Sequence, residues 1–285
     1  MVFLKRTQYA QEKNIFLYHE TNEANRNATI DNTKIQLNAA GKREVPEGMF
    51  VAMIGDTARY LPRATTTVAT ATNSPSVVVT PAQIFAPGDV LYAVEPYATV
   101  TLGGTPLTTD VVTVTVDGVA LAVTTGSAVL ADVAVTVRNA INNDTVLSQK
   151  VFAKSAGAVV YVFAKDGIST YSFAVAKSGD ITVTASGALT VFGAALGTVA
   201  SINVATSTLT LTGNASAVLP IGSHIGVRTV NEVLGVDPHQ RDMTDTEVQT
   251  IGVYNISSGV RENYLPYIDG DIKRRLPQLN FVTKA

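Results

Sequence analysis

Apolar and polar residues alternate with a period of two along much of this chain, and the alternation breaks at Gly, Pro, Asn and Asp. Such a period puts successive side chains on opposite faces of a strand, so the pattern predicts a mainly β protein of short strands and tight turns. Two similar stretches organise it, 76–94 and 208–227. Each reads as a strand, a connection that closes near Pro and Gly, and a further strand. Pro87-Gly88-Asp89 and Pro220-Ile221-Gly222 hold the same place in the two. Glycine there supplies the positive φ of a tight turn, and proline presets its own φ. Upstream, the runs 49–54 and 58–61 flank Gly55-Asp56 and predict a hairpin.

Between the two similar stretches the pattern changes. After an alternating run at 97–102 comes Gly103-Gly104, and then 111–116 and 119–123 flank Asp117-Gly118, a strong hairpin signal. Val133, Val137, Ala140 and Ile141 recur at helical spacing and predict a helix over 130–142, with Asp132 capping its start and Asn142-Asn143 ending it. Runs at 150–153 and 159–164 pair across Ser155-Ala156-Gly157, and Asp166-Gly167 turns into 171–175. A β-β-α-β-β-β order suits a small antiparallel sheet with one face covered by the helix. Strands resume at 181–184, 188–191, 198–202 and 208–212, and apolar runs at 232–236 and 248–254 follow the stretch 208–227.

The predicted fold is therefore a small antiparallel β-barrel or sandwich built from 45–103 and 176–260, with an inserted α+β domain at 104–175. Residues 1–44 lack sustained periodicity and read as an extended N-terminal arm with room for one short strand, and they carry one short apolar patch at Ile15-Phe16-Leu17-Tyr18. Residues 261–285, with Pro266, Pro277 and the basic triplet Lys273-Arg274-Arg275, read as a C-terminal arm. Segments of this kind bury too little apolar surface alone to offset their ordering entropy, so they order on a partner or wrap their own domain. Charge marks the same division: residues 64–227 carry 13 of the 44 Asp, Glu, Lys and Arg. A charge-poor β surface is either buried in an assembly or solvated through Thr and Ser.

Composition narrows the chemistry. A net charge of -2 offers no electrostatic case for nucleic acid. No apolar run is long enough to span a membrane, and the N-terminus does not read as a signal peptide. Zero cysteines removes disulfides, thiolate metal sites and a Cys nucleophile. The three histidines, His19, His224 and His239, lack metal-ligand spacing, and His239 sits in a loop of oxygen-bearing residues, Asp237 to Asp242. No nucleophile elbow, P-loop or dinucleotide fingerprint occurs. Asp117, Asp166 and Asp180 fall at turns, where local hydrogen bonding explains them. The expectation is a protein without enzymatic activity, cofactor or metal.

The stretches 74–91 and 197–211 resemble the head-decoration, or capsid cement, proteins of tailed bacteriophages. Residues 233–237, 248–254 and 259–265 are similar to the closing strands of those small β-barrels, and the insertion resembles a module of phage virion proteins, with its Val-Thr-Val-Asp-Gly hairpin at 114–118 and its helix ending in Ala-Ile-Asn at 140–142. The resemblance implies a structural virion protein, made in the host cytoplasm, that binds the outer surface of an icosahedral capsid. Its partners would be the major capsid protein and further copies of itself in a homotrimer, with no nucleic acid and no membrane. The arms then supply the expected partner interface: Phe3, Leu4, Ile15 and Phe16 at one end, Ile272, Arg274, Arg275 and Leu276 at the other. Two other readings stand beside it, a phage tail or fibre component and a virion-displayed glycan-binding β-domain.

Overall fold

Six short strands close into a barrel in the order Ala195–Asn203, Thr208–Leu211, Ser76–Thr80, Arg63–Thr66, His224–Val227, Val90–Ala93. This computed structural model describes residues 26–282 except 72, 96, 166–168, 187–188, 190–194, 229, 245–248, 254–256 and 263–264. The turn expected at Asp166-Gly167 and most of the strand expected at 188–191 lie outside the described residues.

The barrel has an internal twofold pattern in its pairing. Arg63–Thr66, Ser76–Thr80 and Val90–Ala93 form one three-strand unit; Ala195–Asn203, Thr208–Leu211 and His224–Val227 form the other. Within each unit the first two strands form an antiparallel pair. Across the units the two middle strands pair, through Thr208↔Val78, and so do the two third strands, through Gly226↔Tyr92. Exchanging the units maps the strand order onto itself. The similar stretches 76–94 and 208–227 are thus the middle and last strands of each unit, and they lie side by side. Gly88 and Gly222 hold φ of 91° and 78° immediately before the two last strands, as the matching turns predict. Alternate residues point inward, and Val77, Val79, Leu91, Leu209, Leu211 and Ile225 fill the interior.

A separate, five-stranded sheet adjoins the barrel in the order Glu232–Asp237, Met49–Ile54, Thr57–Tyr60, Arg26–Ile30, Gln249–Val253. The predicted hairpin at Gly55-Asp56 is its centre, with Ile54 paired to Thr57. Strand Met49–Ile54 is buried on both faces, which accounts for its uninterrupted apolar sequence. Met49 and Val51 join the barrel core, while Phe50 and Ala52 join a separate cluster. Strand Arg26–Ile30 corrects the expected N-terminal arm: the arm cannot extend past residue 25, because 26–30 pair along their whole length with Gln249–Val253.

The inserted unit is larger than its predicted bounds. Strands Tyr97–Gly104 and Ile181–Ala185, assigned from sequence to the barrel, belong instead to a four-stranded sheet in the order Val151–Ala156, Val159–Ala164, Tyr97–Gly104, Ile181–Ala185. Ala98, Val100, Leu102 and Ile181 pack in the insertion's core, with helix Leu130–Asn143. A three-stranded sheet, Val119–Thr124, Val111–Val116, Phe173–Ser178, completes the unit. Asp117 and Gly118 take φ of 49° and 78° between Val116 and Val119, the two-residue turn the sequence predicts. The helix buries Val133, Ala134, Val137 and Ile141, while Ala140 is only half-buried. Its N-cap is Val129 rather than Asp132, which lies in the first turn and accepts from the Ser127 hydroxyl at 3.2 Å.

Strand Val159–Ala164 joins insertion to barrel. Val160, Val162 and Ala164 face the insertion core, whereas Tyr161 and Phe163 face the barrel core. Phe163 stacks on Phe152 at 5.2 Å and meets Tyr97 at 5.7 Å. The expected C-terminal arm is also corrected, as helix Gly270–Arg275 and strand Leu279–Val282 fold onto the protein. Ile272, Leu276 and Leu279 are buried with Phe50, Leu61 and Val236.

Candidate functional site

The densest polar constellation in the described structure lies where the barrel, the insertion and the C-terminal segment meet. Arg63, the first residue of a barrel strand, is 1% exposed and directs its guanidinium at two carboxylates of the C-terminal segment. Nη1 donates to Asp269 and Nη2 donates to Asp271 Oδ2 at 2.8 Å. Asp269 also caps helix Gly270–Arg275, since its Oδ1 accepts from Ile272 N at 2.7 Å. The Tyr267 hydroxyl donates to Asp269 Oδ2 at 2.7 Å. Asp271 accepts in addition from Arg274 Nη2 at 2.6 Å and Arg275 Nε at 2.9 Å. A buried charge is tolerated when it is paired and hydrogen-bonded, and here each carboxylate has at least two donors.

The barrel leaves room for Arg63 through one glycine. Gly226 lies opposite Arg63 in the ladder, and a Cβ there would stand 2.6 Å from both Arg63 Cδ and the Pro62 carbonyl oxygen. Beside it, His224 Nδ1 lies 2.7 Å from Glu95 Oε1, without the alignment of a directed hydrogen bond. The His224 ring meets Tyr267 edge-on at 5.0 Å. From the insertion, Lys154 donates to the Gly222 carbonyl and covers Phe152 and Phe163, with Nζ 5.3 and 5.2 Å from their ring centroids.

The electrostatics follow from this packing. Burial opposes charge on Asp271 and would raise its pKa, but Arg63 and the arginine hydrogen bonds outweigh it and hold the carboxyl below the ordinary value. Burial, reinforced by Asp269, pushes Tyr267 far upward. Burial lowers Lys154, with Glu95 pulling the other way. In the centre, Arg63 Nε, Glu95 Oε2 and His224 Nδ1 are buried without a directed hydrogen bond. The arrangement clamps three parts of the chain together.

The expected partner residues at the C-terminus are placed as follows. Ile272 and Leu276 turn inward and have almost no free surface. Arg274 is about half exposed, at 53%, while Arg275 also reaches the Val230 carbonyl oxygen at 3.3 Å. Lys273 pairs with Glu262 at 2.7 Å. The basic triplet is thus engaged by acids of its own chain. Phe3, Leu4, Ile15 and Phe16 lie outside the described residues. In the His239 loop, Asp237 accepts from Tyr60 OH at 2.7 Å, Arg241 Nε at 3.1 Å and His239 N at 3.1 Å, so its oxygens serve the protein's own donors. No group of three His, Asp or Glu side chains among the described residues is placed to hold a metal ion. No helix among them is long and apolar enough to cross a membrane.

No protein-family model matches the chain, and no curated protein matches it. A solved chain from Mycobacterium phage Patience is a weak structural neighbour, with 9% sequence identity and a TM-score of 0.25 over 76% of this chain and 95% of that one. A TM-score of that size assigns neither fold nor function.

Proposed function

We propose that this chain is a structural virion protein that binds the outer surface of an icosahedral phage capsid and stabilises it. The supporting observation joins sequence to fold. The stretches 74–91 and 197–211, which resemble head-decoration proteins, contribute to four of the six barrel strands and contain the barrel's central pair. The buried Arg63 centre ties the insertion side and the C-terminal segment to that barrel, so the body is built as one block. With the C-terminal residues turned inward, capsid contact falls to the N-terminal segment that carries Phe3 and Leu4, and to outward strand faces.

The partners are the major capsid protein and two further copies of this chain. Several weak contacts on one rigid body act together through effective concentration. A protein that binds only the assembled shell stabilises it by mass action, by about 2.7 kcal/mol at a free concentration one hundred times Kd. Co-sedimentation with shells assembled without this protein is the direct test. Saturable binding that raises the shell's melting temperature is expected. Failure to bind, with assembly of the protein alone into rings or tubes, would transfer it to the tail. Saturable glycan binding without shell binding would make it a displayed glycan-binding domain.

A further inference from the structure

The insertion's three-stranded sheet has an open edge. Strand Val119–Thr124 pairs with Val111–Val116 on one side and with no strand among the described residues on the other. The tight turn at Asp117-Gly118 makes Val116 and Val119 a hydrogen-bonded pair, so Val119, Leu121 and Val123 direct their main-chain groups at the neighbouring strand. The N–H and C=O of Ala120, Ala122 and Thr124 therefore point away from the sheet, and all three residues are exposed. Proteins commonly guard such an edge with lysine, proline or a bulge. This strand has none of them: Val-Ala-Leu-Ala-Val-Thr is uncharged and keeps an unbroken register. The opposite edge of the same sheet, Phe173–Ser178, carries Lys177.

We propose that a second copy of this chain adds to this edge, its own Val119–Thr124 running antiparallel about a twofold axis at Ala122. In that register the strand complements itself. Ala122 faces Ala122 of the second copy and Ala120 faces Thr124, so each outward N–H and C=O meets a partner. Directly opposed residues share a face. Small Ala and Thr side chains lie together on the exposed face; on the other, half-buried Leu121, at the rim of the insertion's core, meets Val123. The ends match as well. Gly118 and Gly126 each stand four residues from Ala122 and so oppose one another across the axis, and a Cβ on either would meet nothing within 4 Å. Between 111 and 129 the one charged residue is Asp117, which Lys150 pairs at 2.5 Å, so two copies approach without repulsion. An uncharged edge of β-forming residues suits a like strand better than a charged partner. A twofold contact is distinct from those within a homotrimer and would join one oligomer to the next. One short strand pair is weak alone and gains strength where copies are held side by side.

The inference needs no capsid and stands or falls apart from the capsid reading. Residue-resolved amide hydrogen exchange on the full-length free protein, measured by NMR at rising concentration, tests it. Exchange at Ala120, Ala122 and Thr124 should slow at least about tenfold from dilute to concentrated protein, while Leu121 and Val123, already paired within the chain, change little. Ala122→Lys sets two ammonium groups against each other only in the symmetric pair, and it should abolish the slowing. Ala122→Glu should do the same, and an equal mixture of the two variants should restore it. Ala122 is exposed, so both variants keep the fold. Fast exchange at the three outward amides at every concentration would overturn the proposal, as would slow exchange that ignores concentration. Slowing that survives in either variant alone, or fails to return in the mixture, would overturn it too, by assigning the edge to a different contact.

Discussion

Arg63 Nη2 and Asp271 Oδ2 lie 2.8 Å apart across 208 residues of sequence, and both side chains are at least 97% buried. The pair fastens the C-terminal segment to the barrel, and it does so through charge rather than apolar area. Removing one partner of a buried pair leaves the other desolvated and alone. Arg63→Met should therefore cost about 3–5 kcal/mol, because it strands Asp269 and Asp271 together. Asp271→Asn should cost less, since Asp269 still faces Arg63. Urea unfolding of the two variants checks the order. Equal, small losses would show that the centre contributes no more than a surface pair.

The same centre sets an acid limb. The folded pKa of Asp271 lies below its unfolded value, because Arg63 and the arginine hydrogen bonds outweigh burial. Below the unfolded pKa, near 4, the unfolded chain binds more protons than the folded one, so stability falls as pH drops. The contribution of Asp271 is complete above that value and is lost as pH descends through the folded pKa. In Arg63→Met this part of the acid limb should shift toward higher pH, which melting temperatures measured across the acid range would reveal.

How much of this was legible depends on the range of the interaction. The Asp117-Gly118 turn, the hairpin at Gly55-Asp56 and the helix face of Val133, Val137 and Ile141 were readable because each rests on neighbours within a few residues. The likeness of 76–94 to 208–227 was readable too, and it proved to be the barrel's twofold pattern. The boundary of the insertion was not. Strand Tyr97–Gly104 alternates like a barrel strand, and only its pairing with Val159–Ala164 reveals the sheet to which it belongs. The C-terminal segment failed for a similar reason: its two prolines and charges suggested an arm, while the partner that orders it, Arg63, is over 200 residues away. Nothing near Leu61-Pro62-Arg63 announces a buried arginine.

The junction between insertion and barrel makes a separate prediction. Phe163 is 1% exposed and contributes to the barrel core from a strand whose other face serves the insertion. Phe163→Ala should cost about 3–5 kcal/mol, by lost transfer energy and the cavity left behind. Lys154 loses a ring it covers in the same variant, so amide exchange should rise in Val151–Ala156 as well as in the barrel. Faster exchange confined to Val159–Ala164 would mean that the two units do not depend on this contact.

At alkaline pH the tyrosines should govern stability. Burial first, then Asp237, pushes Tyr60 far above its ordinary value, burial and Asp269 do the same to Tyr267, and burial with Tyr97 lifts Tyr161 to about 12. In the unfolded chain all three ionise near 10. Between the unfolded and folded pKa values the folded state binds more protons, so stability is complete below about 10 and falls as pH rises. Tyrosinate absorbance followed against pH should rise in two stages: the exposed fraction of the 10 tyrosines first, the buried ones together with loss of the fold. Tyr60→Phe leaves Asp237 with His239 N and Arg241 as donors and removes one group from the later stage. Its absorbance step should shrink by one tyrosine while the first stage stays unchanged. If the first stage shrank instead, Tyr60 would be titrating in the folded protein, and its burial beside Asp237 would not hold in solution.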